Sequence, residues 1–293
     1  MRPALAGIVF ALCATACFSV LDTTGQFISA SVPLVMALWM RFLMQSMATA
    51  ALVLPKRGWQ AMHTKRLPMH LLRALALVGS SGMAYLSLRY VPVSEFSAIV
   101  MVSPLAVTVF ATLVFKERVS RARWALIIGS FVGTLVIVRP GAHSFEPTLL
   151  LPLGVVAFGV VFQLLTSSLT STEEPLVVHL YTGLTALALT TALLPFAWQT
   201  LMPASLWGYL LLLALASTVG HFLLIMAFSK ANAATITPFL YAQIGFGTLG
   251  GYLVFGYFPD GWSQLGMAMI AVCGVGCAWL TMRETRQAAG VAP

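Results

Sequence analysis

Charge is what this chain has least of. Only 8% of its 293 residues are Asp, Glu, Lys or Arg, just eight of them acidic, while 59% are hydrophobic and the mean hydropathy is +0.93. So few charges cannot give a water-soluble protein of this length a polar coat, which argues against a soluble enzyme or binding module. Cysteine is scarce too: Cys13 with Cys17, and Cys273 with Cys277, stand at i, i+4 spacing inside apolar runs. No His or acid joins them at ligand spacing, so they read as small packing residues, with no metal site and no cofactor expected. Also missing are an H-E-x-x-H, a G-x-S-x-G, a Walker loop and an aspartate-rich motif, so neither an embedded enzyme nor an ATP-driven pump is expected. No long polar linker leaves room for a second, soluble domain.

What fills the chain instead is ten apolar stretches. About 20 mostly apolar residues cross the roughly 30 Å hydrocarbon core as a helix rising 1.5 Å per residue. The stretches predict an all-α integral membrane protein with spans at 4–27, 33–54, 68–89, 93–115, 122–138, 148–170, 175–197, 205–229, 233–256 and 261–281. Turn formers separate them: Pro55 with Gly58, Pro92, Pro140-Gly141, Pro175, Pro203, Asn232 and Pro259-Asp260-Gly261. The first 19 residues imitate a secretory signal, with Arg2, an apolar run and Ala14-Thr15-Ala16, but their removal would leave nine spans.

Basic residues orient the bundle. With the N-terminus in the cytoplasm, all 16 Lys and Arg except Arg41, Arg89 and Arg139 fall on the inner side, Arg73 among them. The positive-inside rule therefore predicts an even number of spans with N-terminus and C-terminus cytoplasmic. The net charge of +8 then belongs to turns facing anionic headgroups, and no nucleic-acid partner is expected. The reading is a multi-pass protein of a bacterial inner membrane, with the lipid bilayer as its surroundings and no need for more than a monomer.

A shift of about 140 residues lays Leu88–Gly133 over Phe228–Gly274, with Arg123-Trp124-Ala125 near Gln264-Leu265-Gly266 and Pro33 matching Pro175. Each copy holds five spans, and an odd number inverts the second copy. The expected organisation is a 5+5 inverted repeat: residues 1–143, then 144–283, then a short cytoplasmic tail at 284–293. Inverted repeats of this kind are an architecture of secondary transporters.

The segment Phe115-Lys116-Glu117-Arg118-Val119-Ser120, followed by Trp124 and by Gly129 to Gly133, resembles the end of an EamA-type repeat of the drug/metabolite transporter superfamily. Pro104, 13 residues before Glu117, fits the same pattern, as does Arg41 within Leu38-Trp39-Met40-Arg41-Phe42. The resemblance is close over 5–140 and distant over 150–280, where Gly256-Tyr257-Phe258 stands in place of Lys-Glu-Arg. It implies a carrier whose helices one, three, four, six, eight and nine surround the pathway. Length and short ends are most similar to the bacterial amino-acid exporters of the YddG type. That similarity implies a small-molecule cargo, aromatic and other neutral amino acids, moved outward.

Several polar residues stand where hydrocarbon is expected, at a cost of about 2.5–3.5 kcal/mol for each ionised group. Asp22 and Arg41 approach one depth from either side of a turn and are expected to pair, either pinning the first hairpin or gating and reading a substrate charge. Glu95 and Arg89 flank another turn and are expected to close locally. His221 is the one histidine well inside a span; it suits a proton-linked step or a bond to a neighbouring helix. His179 stands near a span start, and His63, His70 and His143 in turns or near the interface. Ser80, Ser81, Gly82 and Met83 are expected to interrupt the third helix, and Met101 and Ser103, before Pro104, the fourth. Pro104 and Pro238 are candidate hinges, since each frees a carbonyl. The candidate central cavity comprises Ser80, Met83, Met101, Ser103, Gln163, His221, Tyr241 and Gln243, whose methionine and aromatic walls accept varied side chains. Gly245-Phe246-Gly247-Thr248-Leu249-Gly250 is a literal G-x-G-x-x-G, but it lies in an apolar helix with no strand before it. It reads as close helix packing, as do Gly247 with Gly251 and Gly129 with Gly133.

Together these features describe an inner-membrane secondary transporter exporting amino acids by alternating access. Few titratable groups lie in the expected cavity, which favours facilitated, downhill movement. Within the class the alternative is a proton-coupled exporter of other metabolites or drugs; outside it, a non-transport membrane scaffold or sensor.

Overall fold

The structure is a computed structural model that describes residues 2–58, 63–115, 120–139, 146–170, 172–199, 202–230 and 233–288. Lys116, Glu117, Arg118 and Val119 of the repeat-end segment lie outside the described residues, as do Pro140, Gly141, His143 and Asn232. Every regular element described is helical: α1 (Arg2–Ile28), α2 (Leu34–Arg57), α3 (Leu67–Leu88), α4 (Val93–Val100), α5 (Ser103–Phe115), α6 (Arg121–Val138), α7 (Leu151–Thr170), α8 (Pro175–Leu193), α9 (Ala204–Lys230), α10 (Ala233–Leu240), α11 (Ala242–Phe255) and α12 (Gly261–Ala288). Nine stretches among the described residues are long and apolar enough to cross a membrane. The tenth expected span, 233–256, divides into α10 and α11, of 8 and 14 residues.

Local chemistry sets the helix ends. Proline fits the first turn, where its missing N–H leaves no bond unmade, and it opens α3 and α8 there. Ser120 caps α6 by accepting from the Arg123 N–H at 3.4 Å, and Asp260 caps α12 by accepting from the Ser263 N–H at 2.9 Å. The α2 and α11 C-termini close on Gly58 and Gly256 at φ +56° and +65°, where a side chain would be strained.

Helix breaks fall at Met101 and Tyr241. Pro104 cannot donate to the Val100 carbonyl, and the Ser103 hydroxyl donates to it instead at 2.7 Å, so the chain turns at Met101–Val102 without stranding that oxygen. Pro238 sits inside α10, and its helix ends two residues later, at Leu240, just before Tyr241. Both breaks follow an eight-residue helix. The expected break in α3 is absent: the helix runs unbroken through Ser80, Ser81, Gly82 and Met83. No proline interrupts its ladder, and both hydroxyls find partners on neighbouring helices, Ser80 donating to the Val155 carbonyl at 3.4 Å and Ser81 accepting from Arg41 at 3.0 Å.

The polarity of α3 shows which solvent the bundle is built for. His70, Arg73, Ser81 and Ser87 are buried, while Leu71, Leu72 and Leu75 are 41%, 50% and 51% exposed. That inside-out arrangement is stable only where lipid covers the leucines.

The chain divides into two compact units, each drawing on both halves of the sequence: 20–90 with 151–219, here the Arg41 unit, and 1–19, 91–150 and 220–293, here the Tyr241 unit. Within the Arg41 unit, α3 packs on α7 and α8, and α2 on α8. Within the Tyr241 unit, α6 packs on α12, α4 on α11, and α10 on α12. Small residues permit the closest of these approaches. A Cβ on Gly133 would stand 2.9 Å from the Gly266 carbonyl oxygen, and one on Gly247 3.3 Å from that of Val93. The packing role expected of Gly129, Gly133, Gly247 and Gly251 is thus seen directly.

Candidate functional site

The Arg41 unit holds a small cavity of about 40 Å³ among its apolar helices, mostly apolar in lining. Asp22 of α1, Arg41 of α2, and Ser81 and Tyr85 of α3 contribute its polar lining. Arg41 Nη1 donates to Ser81 Oγ at 3.0 Å, and the Asp22 carboxylate acts on the guanidinium electrostatically. Arg41 Nε is buried without an acceptor among the described residues. The Tyr85 hydroxyl donates to the Val32 carbonyl at 2.9 Å and leans on that of Ile28 at 3.4 Å, which fixes the ring against the α1–α2 turn.

Tyr85 also borders a second, wider pocket of about 210 Å³. Its wall is the turn from Ser29 to Leu34, with Leu86 and Arg89 of α3 and Gln199. Around this end of the unit Trp39, Trp198 and Trp207 cluster, with ring centroids 6.4 Å and 5.8 Å apart in sequence. Indole clusters of this sort mark the membrane–water interface.

A polar stripe continues away from the cavity. Gln45, one turn beyond Arg41, is 1% exposed, and neither end of its amide has a partner among the described residues. Arg73, counted on the inner side by the charge pattern and lying within the span expected at 68–89, is 4% exposed inside the unit. Its Nε donates to Thr166 Oγ1 at 2.7 Å, its Nη1 to Thr182 Oγ1 and the Val178 carbonyl, and its guanidinium lies 4.2 Å from the Phe162 ring centroid. One arginine thus ties α3 to α7 and α8. His70, expected in a turn or near the interface, is wholly buried in α3. Its Nε2 faces Glu173 Oε2 at 2.8 Å, and since a carboxylate oxygen only accepts, that nitrogen carries the proton. Tyr181 stacks on its ring, and Thr64 donates to Glu173 Oε1 at 2.8 Å.

The remaining candidate residues divide between the units. Ser80 and Met83 belong to the Arg41 unit, where both face α7: Ser80 through the Val155 carbonyl, Met83 through contact with Gly154. Gln163, on α7 of the same unit, is exposed. In the Tyr241 unit, Met101 forms the α4–α5 turn and Ser103 caps Val100 beside Pro104. Tyr241 is 5% exposed with its ring against Gly274 and its hydroxyl unpartnered among the described residues. Gln243 is buried in the first turn of α11, Pro238 lies in α10, and His221 meets the edge of Phe18 at 4.9 Å.

The Tyr241 unit carries its own charged end. Glu95, expected to close on Arg89, instead accepts from Ser94 Oγ at 2.6 Å and Tyr257 Oη at 2.7 Å, because α4 packs on α11 and so brings its first turn to the residues that follow α11. Arg139 Nη2 holds both oxygens of Asp260 at 2.5 Å, and this bond keeps the Asp260 carboxyl at about 2, below its ordinary value.

Much of this was readable as periodicity. Arg41, Gln45 and Thr49 recur at i+4 on α2, and Arg73, Leu77, Ser81 and Tyr85 on α3. Tyr85 and Gln45 are unremarkable alone; the stripes show only when two helices are read together.

The sequence pattern of the EamA-like transporter family matches residues 5–139. A riboflavin transporter of Vibrio cholerae is 31% identical over 78% of this chain and 76% of its own. An S-adenosylmethionine uptake transporter of Rickettsia prowazekii is 26% identical, covering 89% of this chain and 88% of its own. One solved crystal structure superposes with a TM-score of 0.67 at 19% identity, over 97% of this chain and 99% of that one, a likeness of fold.

Proposed function

Because this chain belongs to the EamA-like transporter family, within the drug/metabolite transporter superfamily, we propose that it is a secondary carrier of a small polar metabolite, working by alternating access in a bacterial inner membrane. The observation that carries the reading is the Asp22–Arg41–Ser81 cavity, opposite charges around a space kept open between apolar helices. A bundle needing only stability would fill such a space with hydrocarbon. Movement is facilitated and follows the cargo gradient, so uptake and export are two directions of one process. The chain is read as two inverted five-helix halves, 1–143 and 144–283, with both termini cytoplasmic. The matched breaks at Met101 and Tyr241, 140 positions apart, support that repeat. Ser80, Met83, Met101, Ser103, Gln163, His221, Tyr241 and Gln243 stay candidate cargo contacts, and Pro104 and Pro238 candidate hinges.

Two cargo chemistries have support. Riboflavin is the cargo named for the Vibrio cholerae relative. Amino acids and amino-acid-headed molecules such as S-adenosylmethionine are favoured by the opposite charges at Asp22 and Arg41. Cells expressing the protein, compared with cells carrying an empty vector, should change their content of labelled riboflavin, S-adenosylmethionine or phenylalanine when each is supplied outside. An unchanged content for all three, with the protein in the membrane, would reject these cargoes.

A further inference from the structure

We propose that the pocket between the α1–α2 turn and the end of α3 is a phosphate site, filled by the headgroup of an anionic phospholipid that Arg89 holds. This goes beyond the carrier reading and is independent of the cargo.

Charge is the first argument. With the N-terminus cytoplasmic, Arg89 and Arg139 are the basic residues left on the outer side, against the usual bias. Arg139 is neutralised, since Asp260 takes it with both oxygens. Arg89 is not. Glu95, the acid expected to close on it, is engaged by Ser94 and Tyr257. Among the described residues the side chain of Arg89 has one contact, the ring of Tyr90, with its guanidinium 5.9 Å from the centroid. Arg89 lines the pocket of about 210 Å³, and no Asp or Glu among the described residues lines it. The wall therefore carries a full positive charge with nothing to balance it.

The donors around Arg89 suit an anion with several oxygens. Ser31 and Gln199 bring a hydroxyl and an amide to the same wall, and neither side chain is bonded among the described residues. The other hydroxyls are committed: Ser29 donates to the Gln26 carbonyl at 2.9 Å and Tyr85 to the Val32 carbonyl at 2.9 Å. Those two bonds firm the turn that forms the wall. A planar guanidinium matches two phosphate oxygens at once and leaves others for the hydroxyl and the amide. At 10–15 Å³ for each water, the pocket has room for about fourteen to twenty, and a phosphoglycerol head has roughly ten non-hydrogen atoms.

Depth decides which phosphate arrives. Trp39, Trp198 and Trp207 cluster at this end, and the Trp39 indole is anchored by donating to Thr191 Oγ1 at 3.0 Å. Phe196 and Trp198 are exposed in the turn that leads to Gln199. Rings of this kind sit at the level of the lipid headgroups, where phosphates surround the protein on every side. An uncompensated arginine at that level meets lipid phosphate before any dilute solute. Leu34 and Leu86 supply the apolar part of the wall, suited to the glycerol and the first carbons of a chain. A lipid so held clasps the α1–α2 turn to the end of α3 and to Gln199.

The test is native mass spectrometry of the purified full-length protein in detergent. It is titrated with palmitoyl-oleoyl phosphatidylglycerol, with the matching diacylglycerol, which lacks phosphate, and with glycerophosphoglycerol, which lacks the chains. Phosphatidylglycerol should be retained and the other two should bind at least about tenfold more weakly, the scale of one hydrogen bond to a charged group. Arg89→Gln should weaken phosphatidylglycerol by about the same factor, and Arg89→Lys should recover part of it. Lys56→Gln, which removes an exposed charge from the opposite end of α2, should change nothing. Phosphatidylglycerol should also raise the melting temperature of the wild type more than that of Arg89→Gln. Equal losses in Arg89→Gln and Lys56→Gln would mean diffuse surface charge and overturn the site. Equal retention of phosphatidylglycerol and diacylglycerol overturns it as well, and this wild-type comparison stands whether or not a variant folds. Glycerophosphoglycerol bound as tightly as the lipid would assign the pocket to a soluble phosphate ester and overturn the lipid occupant. Each of these failures leaves the carrier reading in place, which counterflow tests separately.

Discussion

Arg41 on α2 donates to Ser81 on α3 across 3.0 Å, at a cavity that Asp22 also lines. The three residues come from three different helices, and each would be costly in hydrocarbon alone. Ser81→Ala removes the neutral partner and leaves both charges. Transport should fall about threefold, and at most about twentyfold, in line with the roughly 0.6 kcal/mol average, and up to about 1.7, for such bonds between membrane helices. Initial rates in vesicles with matched protein amounts measure it.

Arg73 predicts a stability effect. Its partners are Thr166, Thr182 and the Val178 carbonyl, all neutral. Arg73→Met leaves those oxygens without their donor, at about 1–3 kcal/mol for each one that finds no other. Arg73→Lys keeps the charge but loses the planar fork and the face contact with Phe162, so it should recover only part of the loss. Melting temperatures in one detergent should rank wild type above Lys above Met.

Glycine positions give a paired prediction. Gly133→Ala would bring a carbon within 2.9 Å of the Gly266 carbonyl, so α6 and α12 must separate, at about 1–3 kcal/mol. Gly82→Ala, in α3, meets nothing within 4 Å and should be neutral or slightly stabilising. Thermal unfolding of both variants checks the contrast.

Acid should act at Asp260. Arg139 holds its folded pKa at about 2, below the roughly 3.9 of an unpaired aspartate, so the pair contributes stability above pH 4 and loses it as pH falls from about 4 toward 2. With half of the Asp260 side chain exposed, solvent screens the pair and the contribution is small. Asp260→Asn keeps an oxygen to cap α12 while removing the charge. The variant should therefore match wild type near pH 2 and fall slightly below it at pH 7.

Spans were legible because bilayer thickness sets one length for every crossing, and apolar runs of that length stand out without any partner. Helix breaks were harder. Pro104 marks a true break, but Ser80–Met83 does not, because serines bonded across helices leave the backbone ladder intact. The charge rule set Arg73 on the inner side but could not show it buried among neutral acceptors on α7 and α8, because it counts sign along the chain alone. At the cavity, Asp22 and Arg41 were readable from equal depth about one turn, whereas Tyr85 needed the fold. Nothing in its neighbours along the chain shows that its ring separates two spaces.

The most direct test is tracer counterflow in proteoliposomes holding the purified protein, preloaded in turn with unlabelled riboflavin, S-adenosylmethionine and phenylalanine. The account predicts transient tracer accumulation with at least one of them, dependent on protein and preload, and persisting without a pH gradient. No counterflow with any preload, from protein shown to be folded, would contradict it and favour a membrane scaffold.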